Sequence, residues 1–360
     1  MRLTAEFADD CITQLTAWDP VRKKRDVISV HGRLRKFQER FHQRVLRPRI
    51  RPSRWSYGAV KGRHLLSHAR QHLDSIFVYK TDLANFYPSI GIDRVNRHFL
   101  KLLRCSPEVS RFLTRLCTHD YHLALGLITS PILANQMMLP IDARIGALCE
   151  AHNCVYTRWV DDITISAQWD LSESAVPDKV NKILASHGIA EKISKRDFGR
   201  LDNGPAITGV RVRNGRIDVT VEFLEELHRQ LQDHASLARS GQFSGPYQSY
   251  SQLAGKVHFA AWVNRGRRQV LLSRLRSINW NSVESVAIQR GLVVRRKIVT
   301  KRGETPPEYM TSMEEASYET PEQRPSVSLD KHQILAEPWP QTANNLFTRR
   351  RPARVGLDAG

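Results

Sequence analysis

The stretch that decides the fold is VYTRWVDDITIS, residues 155–166. Apolar and β-branched residues flank Val160-Asp161-Asp162, which predicts two short strands joined by a turn with two acids at its tip. Earlier in the chain, IFVYKTD (76–82) predicts a buried strand that ends in Asp82. A carboxylate among apolar residues is costly unless it is paired or bound to metal. If the two segments meet on one sheet, their acids form an oxygen-rich pocket suited to Mg²⁺.

The composition favours a nucleic-acid partner. The chain has 360 residues, 41% of them hydrophobic, with a formal net charge of +19 and a pI of about 10.1. This length predicts two or three domains, or one multi-lobed domain, with a sizeable core. Lys and Arg displace counterions from phosphates, so the positive charge, which is concentrated in residues 1–280, predicts a polyanionic partner there. The alternative is a basic but soluble protein.

Neither a membrane nor an oxidising compartment is indicated by the sequence. The chain has no apolar run near the roughly 18–20 residues that a spanning helix needs. Its first residues, MRLTAEFADD, are acidic and polar and lack a signal-peptide pattern. The five cysteines form no CxxC pair, and their odd number and spacings fit no zinc site. We therefore expect reduced thiols in a cytosol-like compartment.

Outside the acid-bearing strands the pattern is mostly helical. Residues 33–46 combine apolar residues at helical spacing with a basic opposite face, and residues 61–75 predict a second basic helix. Asn214-Gly215 predicts a hairpin within 206–221. The other expected segments are helices over 92–118, 130–150, 176–188 and 222–277, a loose stretch over 301–325 and a basic tail over 348–356.

Several motifs occur in an order that resembles the reverse transcriptases, particularly the bacterial retron and related defence-associated groups. The palm motifs of that family are similar to VYKTDLANFYPSI, GLITSPILANQ, VYTRWVDDITIS and AITGVRV. The resemblance extends to the fingers segments KKRDVISVHGRLRKFQ and SYGAVKGRHLLSHARQH and to the thumb segment LAGKVHFAAWVNRG. An Asp-Asp pair alone is a weak signal because ordinary turns contain it. Seven motifs in order across residues 23–277 are a strong signal.

The resemblance implies an α+β fold of the right-hand polymerase kind, with fingers, a palm of antiparallel sheet and helices, and a helical thumb. The expected divisions are an N-terminal segment and fingers over 1–75, the palm over 76–221, the thumb over 222–280, and a partly loose C-terminal extension over 281–360.

The family also implies roles for individual residues. Asp82, Asp161 and the Leu83 carbonyl would hold two Mg²⁺ ions, with Mn²⁺ as an alternative, while Asp162 would support the site electrostatically or as a partial ligand. Lys195 would serve as general acid near the leaving pyrophosphate, with Lys192 as its rival. The implied nucleotide-binding residues are Arg25, Lys61, Phe86, Tyr87, Gly126, Ser130 and Asn135. The implied nucleic-acid-binding residues are Arg63, His68, Arg70, His72, Trp159, Lys256 and Arg265.

Some positions depart from the family pattern. Trp159 replaces the usual Tyr before the acids, and Val160 is a common variant. Leu125 and Ile128 replace the Gln and the Pro of the usual Gln-Gly-x-Pro, which predicts altered handling of the template. The retron signatures Asn-Ala-x-x-His and Val-Thr-Gly are near-matches here, at 68–72 and 207–209.

Three assignments have alternatives. Tyr87, five residues after Asp82, would be the steric gate against a ribose 2′-OH or else a packing aromatic. His64, His68 and His72 share a helix face. They would form an RNA-facing basic helix or, less in keeping with the neighbouring cations, a metal site. Lys195 would be a catalytic group or a surface lysine.

The resemblance implies an RNA-directed DNA polymerase in the cytoplasm of a prokaryote. Its expected partners are an RNA template or non-coding RNA, the DNA product, dNTPs, and a partner protein or second copy, with no membrane. A role in anti-phage defence is expected by analogy. The alternatives are untemplated or protein-primed DNA synthesis, and a maturase-like RNA-binding protein with little synthesis.

Overall fold

The computed structural model describes residues 11–19, 23–213 and 215–292, with only the backbone for 15–19 and 23–26. Within these residues, no helix is both long enough and apolar enough to span a bilayer. The predictions that lie outside the described residues concern Asn214, the loose stretch 301–325 and the basic tail 348–356.

Antiparallel strands form the framework of the site. The strands are β1 (Ile12–Asp19), β2 (Lys23–Val30), β3 (Phe77–Asp82), β4 (Val155–Trp159), β5 (Asp162–Ala167), β6 (Asp197–Arg200), β7 (Val210–Arg213) and β8 (Arg216–Val219). A central sheet has the order β4-β5-β3-β6, and β1-β2 and β7-β8 pair separately. The hairpin predicted over 206–221 is therefore present as β7-β8.

Helices surround the strands. They are α1 (Gly32–Phe41), α2 (Leu65–Ala69), α3 (Ile92–Leu103), α4 (Pro107–Cys117), α5 (Ser130–Ala151), α6 (Val176–Ala185), α7 (Val221–Ser240), α8 (Tyr250–Val263), α9 (Arg268–Arg276) and α10 (Trp280–Gln289). A π-helical turn (His42–Leu46) and one α-helical turn (Arg47–Arg49) continue α1. The mixed α+β architecture with antiparallel sheets is confirmed.

The central sheet lies between two apolar cores. Successive side chains of a strand point to opposite faces, and β3 sends Tyr79 into one core and Val78 into the other. The first core also contains the apolar faces of α1 and α3 to α6, and the second contains those of α7 to α10. Both cores therefore fix the strand that ends in Asp82.

Three sequence predictions need correction. The predicted helix over 92–118 is two helices, because Arg104 adopts a left-handed φ of 49° and the Ser106 side chain caps the next helix at the Val109 N–H. The predicted helix over 61–75 is only the short α2 followed by a 3-10 turn. The helical pattern predicted over 222–277 extends further, because α10 packs against α7 and buries Val283 and Ala287.

Candidate active site

Strand pairing brings the three predicted catalytic acids to one end of the central sheet. Asp82, the last residue of β3, pairs with Asp162, the first residue of β5. The Leu83 N–H donates to the Asp161 carbonyl oxygen at 2.8 Å, which extends this pairing by one residue. The Asp82 and Asp162 side chains are 19% and 25% exposed, so solvent and small ligands reach both carboxylates.

Two lysines lie against these acids. The Lys195 ammonium contacts the Asp82 carboxylate, and the Lys80 Nζ lies 3.6 Å from Asp162 Oδ2. Lys80 also donates to the Ala206 carbonyl at 2.8 Å. The sequence left two candidates for the general acid, Lys195 and Lys192. Lys195 has its ammonium at the acids. Lys192 contributes only its backbone N–H, which donates to the Asp82 carbonyl at 2.8 Å. No motif in the sequence distinguishes Lys80.

At this end of the sheet, the carboxylates that contact the lysine ammonium groups can also bind other cations. Among the described residues, no three His, Cys, Asp or Glu side chains converge as a ready-made metal cage. Asp82, Asp161 and the Leu83 carbonyl offer oxygen donors, the ligand type that divalent cations such as Mg²⁺ prefer.

The turn that carries Asp161 has unusual backbone geometry. Val160 has a φ of 58°, a conformation that is strained for a β-branched residue. Gly58 packs directly against this turn: a Cβ at position 58 would lie 2.5 Å from the Val160 nitrogen. Only glycine fits there without displacing the turn.

A buried polar network contacts the strained turn from the protein interior. Arg158 and Asp142 are both fully buried and form a bidentate ion pair, with Nε–Oδ1 and Nη2–Oδ2 distances of 2.9 Å. The Arg158 Nη1 donates to the Val160 carbonyl at 2.6 Å and to Asn135 Oδ1 at 3.1 Å. The Asn135 amide in turn donates to the Gly58 carbonyl at 3.0 Å. Asn135, predicted to bind nucleotide, is instead a buried link between Arg158 and Gly58.

Two more predicted nucleotide-binding residues belong to the interior. Phe86 is 4% exposed in the first core and Ser130 is 1% exposed at the start of α5, so neither side chain reaches a ligand in this structure. Tyr87 is only partly buried and packs against that core. Burial and the nearby Asp161 charge raise the pKa of Tyr87 to about 12. Its phenol is therefore protonated at neutral pH and lies near the acids.

The turn at 125–128, where the sequence departs from Gln-Gly-x-Pro, is fixed by neighbouring segments. Gly126 has a φ of 102°, and a Cβ there would lie 2.0 Å from the Ile28 carbonyl oxygen. The Ile128 N–H donates to the Oε1 of fully buried Gln38 at 3.0 Å. A proline at 128 could not make this bond because it has no N–H. Leu125 is 37% exposed in place of the usual Gln.

The interpretation of His68 and His72 as RNA-binding residues is wrong for this structure, because both are fully buried. Each donates to or accepts from Thr157 Oγ1 at 2.7 Å, on β4. His72 Nδ1 also lies 2.7 Å from Ser166 Oγ on β5, and His68 Nδ1 lies 3.2 Å from Thr208 Oγ1. The histidines thus join α2 and the 3-10 turn that follows it to both strands of the acid-bearing hairpin. Sequence spacing revealed their shared face but not that it points inward.

Burial of His68 makes the folded state sensitive to acid. Burial, and secondarily the Lys80 charge, lowers the pKa of His68 from 6.5 to about 3. Between these values the unfolded chain binds more protons than the folded chain, so stability falls as pH drops below 6.5. For this group the slope approaches about 1.4 kcal/mol per pH unit.

We expect His68→Asn, the residue of the retron signature, to flatten the dependence of unfolding free energy on pH between 6.5 and 4. The exposed-site control His258→Asn should leave that slope unchanged in denaturant titrations, and equal slopes in all three proteins would contradict this assignment.

The remaining predicted residues differ in accessibility. Arg63 is held by the Ser53 and Arg54 carbonyls at 2.7 and 3.1 Å and lies over the Tyr57 ring, so it braces its own loop. Trp159 is half-buried and stacks on His68, and the Lys256 ammonium lies 3.2 Å from Gln230 Oε1. Arg25 has its backbone in β2, paired with Ala17, while its side chain lies outside the described part of the chain. Besides Lys195, the predicted residues whose described side chains or backbone are exposed to solvent are Lys61, Arg70, Gly126 and Arg265.

Comparisons with known proteins identify retron reverse transcriptases as similar in sequence. The retron Ec48 reverse transcriptase of Escherichia coli is 27% identical over 203 residues, covering 52% of this chain and 49% of that protein. The retron Ec86 reverse transcriptase of Escherichia coli is 26% identical over 183 residues, covering 51% and 57%. The retron Se72 reverse transcriptase of Salmonella heidelberg is 30% identical over 171 residues, covering 48% and 44%. The chain is similar to retron reverse transcriptases.

The predicted resemblance to bacterial retron reverse transcriptases is thus confirmed. The retron-like chain spans about half the length of the curated relatives it matches. A search against family models found no match. Among solved structures, telomerase from Candida albicans in complex with a fragment of telomeric RNA aligns with a TM-score of 0.42 and 10% identity, over 77% of this chain and 58% of that one.

Proposed function

We propose that this chain is an RNA-directed DNA polymerase that makes DNA by phosphoryl transfer. The observation that carries the proposal is the β3–β5 register, which pairs Asp82 with Asp162 and sets Asp161 beside Leu83. The similarity to retron reverse transcriptases supports the same reaction.

Each residue of the site has a chemical role in this proposal. Asp82, Asp161 and the Leu83 carbonyl would hold two Mg²⁺ ions, with Asp162 as electrostatic support. Such ions supply charge neutralisation at the attacking and leaving oxygens of an in-line displacement. Lys195, whose ammonium contacts Asp82 and whose side chain is partly exposed, would protonate the departing pyrophosphate as general acid. The polypeptide's contribution is mainly positioning and electrostatics.

The partner RNA and the biological role are further parts of the proposal. A positive charge of +19 fits a chain that works while bound to a structured RNA. We propose a non-coding RNA as template or scaffold and a role in anti-phage defence, both by analogy with retrons.

Sugar selection provides a test of Tyr87. If its ring, which lies near Asp161, occupies the space of a ribose 2′-OH, Tyr87→Ala should raise the ratio of ribonucleotide to deoxynucleotide incorporation efficiency. Tyr87→Phe is the matched control, because it keeps the ring and removes only the hydroxyl. Both ratios are measured with rNTPs and dNTPs on one primer–template. A Tyr87→Ala ratio equal to that of the wild type would assign sugar selection to another residue.

The exposed Leu125 favours a second candidate, DNA synthesis without a template or primed by protein. A leucine at the position of the usual Gln cannot hydrogen-bond a template strand. Purified protein supplied with dNTPs, Mg²⁺ and an RNA primer–template distinguishes the reactions. The main proposal requires a product complementary to the template. A product unrelated to the template, or one attached to protein, supports the second candidate, and RNA binding without any product supports a maturase-like role.

A further inference from the structure

The outer face of α1 and of the turns that follow it carries a row of cations remote from the acids. Lys36, Arg40, Arg44 and Arg47 follow one another at spacings of four, four and three residues, and all four are exposed. Residues three or four apart share a helix face. With a rise of 1.5 Å per residue, the row extends over about 17 Å. We call these four residues the basic stripe.

The charge of the basic stripe is not neutralised locally. Glu39 is the single acid between His31 and Trp55 in the sequence, and its carboxylate is bound by Arg35 at 3.0 Å. Within the described part of the chain, the four stripe residues make no ion pair. Burial, and secondarily the Arg47 charge, lowers the pKa of His42, so this histidine adds little charge at neutral pH. The stripe therefore presents a positive potential that can attract an anionic partner.

The opposite face of α1 connects the basic stripe to the candidate active site. Phe37 and Phe41 are buried in the first core, and Gln38 accepts the Ile128 N–H and donates to the Leu116 carbonyl at 2.8 Å. The stripe and the turn at 125–128 are thus separated by one helix, whose diameter with side chains is about 10–12 Å. An RNA bound on the stripe would pass close to the turn that the resemblance assigns to template handling.

We propose that the basic stripe binds double-helical RNA and holds it next to the template turn. Proteins that bind single strands combine cations with exposed aromatic rings on which bases stack. The rings on α1 face inward, so the stripe offers contacts to phosphates and none to bases. Double-helical nucleic acid carries a phosphate about every 3.4 Å along each strand, so a row of about 17 Å can meet several phosphates. The inference rests on the proposed function for the identity of its polyanion.

Binding as a function of salt tests the stripe without requiring nucleotide incorporation. The test variant is Arg40→Gln with Arg44→Gln and Arg47→Gln, since glutamine is a good helix former. The control removes three exposed cations elsewhere, with Lys101→Gln, Arg144→Gln and Lys182→Gln. The probes are a blunt RNA hairpin and an unstructured RNA of equal length, titrated at several salt concentrations. Circular dichroism checks that both variants remain folded.

We expect the test variant to lose affinity for the hairpin and its log–log salt slope to decrease by about 2 to 3, at about 0.7–0.9 for each lost phosphate contact. The control should retain most of the wild-type slope. Incorporation on a short primer–template at saturating concentration should persist in the test variant. The binding test does not depend on this result, because hairpin affinity can be measured for a protein without polymerase activity. The proposal is overturned by an unchanged hairpin slope or by an equal loss in the control. It is also overturned by a larger loss for the unstructured RNA, or by a preference for polyglutamate over the hairpin as the ligand.

Discussion

Asp161→Asn combined with Asp162→Asn is expected to abolish nucleotide incorporation while the protein stays folded and binds RNA. Asparagine has nearly the same shape, and the Leu83 N–H bond to residue 161 involves only backbone atoms. The two negative charges that would hold metal are lost. Removing a single preorganised electrostatic group from an active site commonly costs about 10²–10³ in rate, so the double variant should lose at least that factor.

The measurement is incorporation of labelled dNTPs with Mg²⁺ on a primer–template, together with RNA affinity and thermal unfolding. Asp120→Asn with Asp202→Asn is the matched control, because it removes two exposed acids away from the sheet end. Wild-type incorporation by the Asp161/Asp162 variant would remove these acids from the chemistry. Equal losses in the control would assign the effect to net charge.

Arg158→Met is expected to destabilise the fold by about 3–5 kcal/mol, the range for removing one partner of a buried ion pair. Asp142 would remain as an unpaired charge in an environment from which water is excluded. Asp142→Leu combined with Arg158→Met should recover much of this stability, because no charge is then left alone. Urea unfolding of the wild type, the two single variants and the double variant completes the cycle.

The same double variant separates stability from positioning. It lacks the Arg158 bond to the Val160 carbonyl, so the strained turn loses its support and incorporation should fall even where folding is restored. Arg229→Met is the control, because Arg229 lies at the surface, where solvent screens its pairs with Glu226 and Asp233 and leaves them little effect on stability. A double variant with both wild-type stability and wild-type incorporation would show that the pair has no role in positioning the turn.

The sequence predicted the parts of the site that depend on local pattern. Strand periodicity predicted the buried strand that ends in Asp82 and the hairpin that carries Asp161 and Asp162, and the resemblance to reverse transcriptases implied that these acids meet. Asp142 and Arg158 could not be matched in advance, since any buried acid could have paired with any buried base. Similarly, nothing local distinguishes Lys80 from a surface lysine.

His68 and His72 were misinterpreted for a physical reason. Spacing predicts which side chains share a face, but the direction of that face depends on what packs against it. Here α2 is short and Thr157 and Ser166 offer hydroxyl partners on β4 and β5. The cations beside the histidines suggested a solvated surface, whereas only Lys61 and Arg70 are exposed there. Gln38 was overlooked in the same way, as a polar residue on the face expected to be apolar.

The close packing of Gly58 on Val160 has a consequence for the evolution and engineering of this protein. Positions 58 and 160 are far apart in the sequence, but substitutions at one are constrained by the other. A side chain gained at 58 displaces the backbone that carries Asp161. A mutant library that randomises residues 159 and 160 to change fidelity should therefore keep glycine at 58 fixed. A natural homologue without glycine there is expected to present its acids on a differently shaped turn.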